Sequence, residues 1–410
     1  MITNQEEKIM PNLSEYSDIV YDSRRVTPGA LFVALTDGAT DGRGFAGDAI
    51  ARGAKAVFPC DRHTLALLSA EFFGHPEREL TLIGVTGTKG KTSVTTYCKQ
   101  IYEAVTGNKA GLIGTIANVI GDVSTPSTLT TPESRDLYEL LAKMRGAGCK
   151  AVFMEVSSQA LAVGRVDGLR FAVGALTNLS HEHLDLHGTM ETYLLEKLKL
   201  AEKSDKFLID ERLQCNIPGA LRVNGADNRE VVLAICAALG LDRAACASAF
   251  ANAKPPKGRA DIAFDGAFRV MIDYAHSPDS LSYILNYGRL LKPSRLTVVF
   301  GCGGDRDRSK RPVMGRIAAE LADNVIVTSD NPRTEAPDAI ISEILIGFIN
   351  PPAVITDRRE AIAYAIKQAI PRELIILAGK GHEPYQEING TRLPFDEYEL
   401  VKKLTTEVLM

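Results

Sequence analysis

Residues 81–94 read Thr-Leu-Ile-Gly-Val-Thr-Gly-Thr-Lys-Gly-Lys-Thr-Ser-Val. Lysine and hydroxyl side chains set directly after closely spaced glycines are the residue types that hold phosphate. Gly87 and Gly90 let the backbone turn tightly, so that several N–H groups aim at one point, and a helix starting there adds partial positive charge. Lys91 would reach the terminal phosphates of a nucleotide, and the Thr92 hydroxyl would face a Mg²⁺ ion. The spacing departs from the strict P-loop, because Val85 stands where that motif has its first glycine.

Other residues downstream are suited to chemistry. Glu155 ends the apolar run 151–156, and a carboxylate in such a run is costly unless it is paired or metal-bound. Residues 177–188 hold His181, His183, His187, Glu182 and Asp185 in a chain with only seven histidines. Such a cluster suggests metal or phosphate work, although it lacks the His-Glu-x-x-His spacing of a zinc-protease helix. Lys197, Lys199 and Lys203 follow on a helical stretch, and composition alone does not separate them from a solvated face. Four polar loops come later: 273–276, 301–307, 329–333 and 379–383. Each alone reads as a turn; together they read as one site at a sheet edge.

The elements that must position these residues are those of an α/β protein. Leu82, Ile83 and Val85 form a buried strand before the glycine loop, and Val94, Cys98, Ile101 and Val105 recur at helical spacing after it. Residues 1–78 read as a small α/β unit, in which Asp22-Ser23-Arg24 is an ordinary turn on its chemistry alone. Residues 79–262 alternate strands and helices, with strands at 151–156 and 171–176, helices near 190–203 and 230–240, and a brief connector over 204–220. The stretch 254–261 reads as a linker. Residues 263–410 restart the pattern, with strands at 268–272, 296–300, 324–328 and 374–378, hence a mostly parallel sheet.

The 410 residues suit two or three domains, and a hydrophobic share of 45% with 24% charged residues is that of an ordinary globular protein. A net charge of −4 gives no basic field for nucleic acid. No apolar run approaches a membrane span, and residues 1–21 lack the apolar core of a signal peptide. Seven cysteines without a Cys-x-x-Cys pair fit a reducing cytoplasm and exclude a cysteine zinc site.

At this point six stretches, in order, resemble the Mur ligases: 86–92, Glu155-Val156-Ser157-Ser158, Thr177-Asn178-Leu179-Ser180 with His183-Leu184-Asp185, 273–278, 301–307 and 379–383. The resemblance covers nearly the whole chain. Within the family it is to the type that adds the third amino acid to UDP-N-acetylmuramoyl-L-alanyl-D-glutamate. It implies three domains: an N-terminal UDP-substrate domain (1–78), a central P-loop ATPase (79–262) and a C-terminal Rossmann-like domain that binds the amino acid (263–410). It also implies an acyl-phosphate route to an amide, in which the protein chiefly positions groups and neutralises charge.

Carried over residue by residue, the resemblance places Gly87, Thr88, Lys89, Gly90, Lys91, Thr92 and Ser93 on ATP, with Asn228, Arg259, Asp273 and His276 on its adenine, ribose or phosphate side. Thr92, Glu155 and His183 resemble metal ligands for Mg²⁺. Lys197 stands after His187-Gly188 and Tyr193 at the spacing of a carbamylated lysine, an anionic group that a Mg²⁺ site can use. Lys91, Glu155, His183 and Lys197 are the expected catalytic groups. Ser23, Thr130, Thr131, Ser158 and Arg165 match positions near the UDP-sugar dipeptide. Asp330-Asn331-Pro332-Arg333 resembles the signature of enzymes that take meso-diaminopimelate, whose far carboxylate Arg333 can fork. Arg306, Gly379 and Glu383 complete that pocket. A cytoplasmic monomer without nucleic-acid or membrane partners is expected.

Three departures stand out. Gln159 replaces a frequent His, Ala260-Asp261 replaces the usual end of a Gly-Arg-x-Glu motif, and the chain is short, in its first domain and over 204–220. The rivals are a Mur-like ligase for another carboxylate or for L-lysine, and a catalytically silent ATP-binding partner.

Overall fold

The computed structural model describes residues 10–38, 40–180, 182, 184–225 and 227–409. The chain divides into two units, residues 1–254 and 255–410. That division precedes position 262, because the strand 261–265 pairs within the second unit.

In the first unit, β1 (Ile19–Val20), β2 (Leu31–Leu35) and β3 (Ala56–Cys60) form a parallel three-stranded sheet. The run Leu-Phe-Val-Ala-Leu of β2 is wholly buried: Leu31, Val33 and Leu35 enter one apolar cluster, Phe32 and Ala34 another. Covering on both faces is why the strand is apolar at every position rather than at alternate ones.

The same unit holds an eight-stranded sheet: β4 (Thr81–Thr86), β5 (Ala110–Ile113), β6 (Ala117–Ile120), β7 (Val123–Pro126), β8 (Ala151–Glu155), β9 (Phe171–Leu176), β10 (Ser204–Asp210) and β11 (Leu221–Val223). Their order is β11-β10-β9-β4-β8-β5-β6-β7. It is parallel except for the β5-β6-β7 edge, where Gly121, at φ +59°, and Asp122 turn a two-residue hairpin. β4 sits between β8 and β9, so the loop that follows it opens at the middle of the sheet.

The expectation of a brief connector over 204–220 is corrected: 204–210 is β10, paired with both β9 and β11. Its first half, Ser-Asp-Lys, is polar, and only Phe207, Leu208 and Ile209 betray the burial that makes it a strand. The helix Arg243–Asn252, capped by Asp242, was also not foreseen.

The second unit is built on β12 (Asp261–Asp265), β13 (Arg269–Asp273), β14 (Leu296–Phe300), β15 (Asn324–Val327), β16 (Ala353–Val354) and β17 (Leu374–Ala378), in the order β12-β13-β17-β14-β15-β16. Only β12 runs antiparallel. Asp273 pairs with Ala378, and Phe300 with Val327, so the loops after β13, β14, β15 and β17 leave one edge of the sheet. A hairpin, β18 (Tyr385–Ile388) and β19 (Thr391–Pro394), follows.

Candidate active site

The phosphate loop lies between β4 and the helix Lys91–Thr106. Its glycines are required by close approach. Gly87 has φ +143°, and a Cβ there would collide with the Thr177 hydroxyl; Gly90 has φ +84°, and a Cβ would lie 2.6 Å from Asn228 Oδ1. The end of β9 clamps the loop. Thr177 Oγ1 donates to Lys89 O at 2.6 Å, Asn178 Oδ1 accepts from Lys89 N at 2.9 Å, and Thr88 N donates to Asn178 O at 3.0 Å. Lys91 Nζ folds over the loop onto Gly87 O at 2.9 Å and Thr88 O at 3.1 Å. Lys89 Nζ pairs with both oxygens of Glu182 at 3.0 Å. Ser93 lies in the first turn of the helix, and Asn228 opens the helix Asn228–Ala238 beside Gly90.

Glu155, at the end of β8, is 1% exposed. Among the described residues it makes no ion pair. Its Oε1 accepts from Thr115 N at 2.8 Å, and its Oε2 accepts from the hydroxyls of Thr92 and Thr115, both at 3.0 Å. Thr130 Oγ1 lies 3.0 Å from Thr115 Oγ1, and Thr131 Oγ1 donates to Glu155 O at 2.9 Å. A Cβ on Gly114 would collide with the carboxylate. A buried carboxyl group held by hydroxyls and one N–H, with no cationic partner among the described residues, offers the oxygen donors that a hard metal ion takes. Thr115, which touches Glu155 as Thr92 does, was not named from sequence, and nothing in its spacing marks it.

Lys197 is 1% exposed. Its Nζ donates to Gly87 O at 3.0 Å and lies 4.3 Å from the centre of the Tyr193 ring, one helical turn earlier. Burial first, and then the charge of Lys91, push its amine well below the ordinary lysine range. His183, the fourth expected metal or catalytic group, lies outside the described residues. Among the described residues, no group of three His, Cys, Asp or Glu side chains is gathered for a metal.

Of the residues expected near the UDP-substrate, Thr130 and Thr131 are tied to Glu155. Ser158 Oγ lies 3.0 Å from His187 Nε2, and the His187 ring packs 5.0 Å from that of Tyr193. Arg165 Nε donates to Glu133 at 2.9 Å and its Nη1 to Thr131 O at 3.3 Å; Arg62 reaches the other oxygen of Glu133. Ser23 is buried in the short turn Ser23–Arg25, and Asp22 accepts from Arg24 N at its start. The next residue, Arg25, forks Asp136 at 2.9 and 3.0 Å, which fixes this turn to the helix Ser134–Gly146.

In the second unit, the Arg259 guanidinium lies 4.5 Å over the Tyr274 ring. Asp273 Oδ2 accepts from Ala260 N at 2.7 Å, and His276 Nδ1 lies 2.7 Å from Tyr274 O. Asp330, Asn331, Gly379 and Glu383 gather at the sheet edge. Asn331 Nδ2 donates to Glu383 Oε2 at 2.9 Å, and Gly379, at φ +122°, leaves room for the Asp330 carboxylate. Arg333 stands at φ +52° after Pro332. Its Nη1 donates to Gly304 O at 2.7 Å, and its Nε lies 3.4 Å from Glu387 Oε2. Arg306 is exposed on the loop after β14. In the same loop as Gly379 and Glu383, Lys380 is buried and His382 half-buried, and neither was singled out from sequence.

A lysine-capped phosphate loop at mid-sheet, a hydroxyl-bound carboxylate beside it, and a second α/β unit whose polar loops share one edge define an α/β nucleotide-dependent enzyme. Comparison with known proteins sharpens this. Residues 15–89 match the Mur ligase family catalytic domain, 85–212 the Mur ligase middle domain, and 258–381 the Mur ligase glutamate ligase domain. The UDP-N-acetylmuramoyl-L-alanyl-D-glutamate–2,6-diaminopimelate ligase of Caldanaerobacter subterraneus subsp. tengcongensis is 39% identical, over 98% of this chain and 97% of that protein. The ligase of the same name from Syntrophomonas wolfei is 37% identical, over 95% and 94%. A solved ligase of that name is 28% identical, with a TM-score of 0.67 and 96% of both chains covered. The MurF ligase of Thermotoga maritima in complex with ADP, 18% identical, shares the fold at a TM-score of 0.62 over 98% of this chain and 99% of that one.

This chain belongs to the Mur ligase family and is an ATP-dependent ligase. The first alignment spans 473 positions against 410 residues here, so it opens internal gaps in this chain.

Proposed function

We propose that this protein joins meso-2,6-diaminopimelate to UDP-N-acetylmuramoyl-L-alanyl-D-glutamate in the cytoplasm, acting as a monomer. The glutamyl γ-carboxylate oxygen attacks the γ-phosphorus of ATP and ADP leaves. The amine of diaminopimelate then attacks the acyl carbon, loses a proton, and the tetrahedral adduct expels phosphate to leave the amide. The observation that carries this reading is the placement of Glu155 and Thr92 in hydrogen-bond contact beside the Lys91 loop, in a chain whose relatives named for this reaction align over nearly its whole length.

Lys91 would neutralise the terminal phosphates, and the N–H groups of 87–92 would orient them. The hydroxyl of Thr92 and the carboxylate of Glu155, with His183 and a carbamate on Lys197, would hold Mg²⁺, which offsets the charge of the phosphoryl group in transfer. The lowered amine of Lys197 supports the carbamate, because only a neutral amine adds to CO₂. Thr130, Thr131, Ser158, Arg165 and Ser23 would line the UDP-substrate. Asn228, Arg259, Asp273 and His276 would contact the nucleotide. Arg333, Arg306, Asp330, Asn331, Gly379 and Glu383 would hold the amino acid, Arg333 by its far carboxylate.

Phosphate release from ATP and Mg²⁺ with the UDP-muramoyl dipeptide tests this. Release with meso-diaminopimelate and not with L-lysine is expected. Release with lysine alone would discard the Arg333 pocket, and release with neither, in protein that binds ATP, would discard the reaction. Protein equilibrated with ¹³C-bicarbonate should show a carbamate carbon resonance that Lys197→Met lacks.

A further inference from the structure

Lys380 follows β17 and has no part in the reaction as proposed, yet its side chain is completely buried. A buried lysine persists only where acceptors surround it. Its Nζ donates to Asn331 Oδ1 at 2.9 Å, and lies 3.4 Å from Glu383 Oε2 and 3.7 Å from Asp330 Oδ1. The Tyr385 ring closes one side, with its centre 5.5 Å away. Asn331 Oδ1 takes a second hydrogen bond, from Glu387 N, at 2.9 Å. An amide oxygen has two lone pairs, so both are used. The amide nitrogen must then face the other way, and it donates to Glu383 Oε2 at 2.9 Å. Which way an amide points is decided by its partners. Here the ammonium of Lys380 and one backbone N–H make that decision.

We propose that Lys380 is a positioning residue for the amino-acid substrate: it fixes Asn331 as a hydrogen-bond donor toward the pocket and holds Glu383 beside it. The inference rests on the reading of 330–333 and 379–383 as the amino-acid site. A pocket arranged this way offers that substrate N–H donors from Asn331 and a carboxylate from Glu383, with no amide acceptor. Without the lysine, the amide oxygen keeps a single donor, Glu387 N, and Glu383 loses its neighbouring cation, so both groups are held less firmly.

The test measures KM for each substrate in the full-length ligase. Lys380→Met should raise KM for diaminopimelate about 10–100-fold, the loss of one hydrogen bond to a charged group. KM for ATP and for the UDP-muramoyl dipeptide should stay within about twofold, because the contacts of Lys380 are to Asn331, Glu383, Asp330 and Tyr385 and to none of the groups proposed for those substrates. Asn331→Ala should raise the same KM, and the double variant should add little to it, because Lys380 acts through Asn331. Asn331→Asp keeps the contacts to Lys380 but lacks the donor, so it too should raise that KM. This third variant keeps the proposal falsifiable if Lys380→Met does not fold.

An unchanged diaminopimelate KM in Lys380→Met or in Asn331→Asp, where Asn331→Ala raises it, would overturn the role of Lys380 alone. Multiplied effects in the double variant would do the same. An unchanged KM in Asn331→Ala and Arg333→Ala would remove the amino-acid site itself, and this proposal with it.

Discussion

Lys91 and Lys197 share one acceptor: both donate to the carbonyl oxygen of Gly87, at 2.9 and 3.0 Å. The two amines come from helices on either side of β4, and burial, then the charge of Lys91, disfavours the proton on Lys197. With Lys197 as the free amine, in protein kept without Mg²⁺ and bicarbonate, its value in the unfolded chain is the ordinary 10.5. Between its lowered folded value and 10.5 the unfolded state binds more protons, so stability rises with pH across that window and is least below the folded value. Lys197→Met should flatten this slope and raise stability at neutral pH by about 1–3 kcal/mol, while ligation falls at least about a hundredfold. Urea melts at several pH values and phosphate release check the two outcomes.

Glu155 is held by two hydroxyls and one N–H. Glu155→Gln keeps its shape: the amide oxygen can still accept from Thr115 N, and the hydroxyls of Thr92 and Thr115 can turn to accept from the amide nitrogen. Folding should therefore survive with Tm little changed. Ligation should fall about 10²–10³-fold through loss of one negative charge where charge is stabilised in transfer. A drop in Tm that matched the loss of activity would show the carboxylate to be a structural group only.

Gly87 lies against Thr177, whose hydroxyl holds Thr86 O and Lys89 O. Gly87→Ala must push that hydroxyl away and places an L side chain at φ +143°. It should cost about 1–3 kcal/mol of stability and weaken nucleotide binding, read by calorimetric titration with ADP. Gly107→Ala, at the far end of the helix with nothing within 4 Å of a Cβ, should weaken binding far less.

Glu335 ties the two loops of the proposed amino-acid site together. It accepts from Asp305 N at 2.6 Å and from the buried Arg311 at 2.7 and 2.9 Å, while Asp305 accepts from the hydroxyl and N–H of Thr334, next to Arg333. Arg311, chiefly, holds the Glu335 carboxyl down at about 2. The folded value lies below the unfolded 4.5, so the contribution is full above about 4.5 and is lost as pH falls toward 2. KM for diaminopimelate should therefore not vary with pH on account of this network between about 5 and 8. Glu335→Ala should raise that KM about tenfold and leave KM for ATP unchanged.

His382 is held neutral. Burial first, then Arg259 and Lys257, lower its pKa from 6.5 to about 4. In that interval the unfolded chain takes up the proton, so stability rises from pH 4 to 6.5 and is full above it. His382→Gln should flatten the stability profile over that range in urea titrations, and an unchanged profile would remove His382 as its source.

The strand-loop-helix of 81–106 was legible because its signal is local: apolar residues, glycines and a helical period follow one another within one stretch. The same holds for the polar loops at the ends of β13, β14, β15 and β17, where βαβ alternation alone sends parallel strands to a common edge. The strand 204–210 was not legible, because its first half is polar and only pairing on both sides makes it part of the sheet. Nor was the hairpin over 117–126, whose single cue is Gly121-Asp122.

By itself, then, the sequence determined the α/β class, the glycine loop between strand and helix and the order of motifs that marks the family, all read from neighbours along the chain. The tertiary structure alone decided that Thr115 shares Glu155 with Thr92, that Lys197 meets Lys91 on one carbonyl, and that Lys380 fixes the amide of Asn331. Those partners lie from 40 to 110 residues apart, Lys91 and Gly87 or Thr92 and its loop aside. A hydrogen bond or a desolvated amine depends on what packs there in space, and no spacing along the chain encodes it.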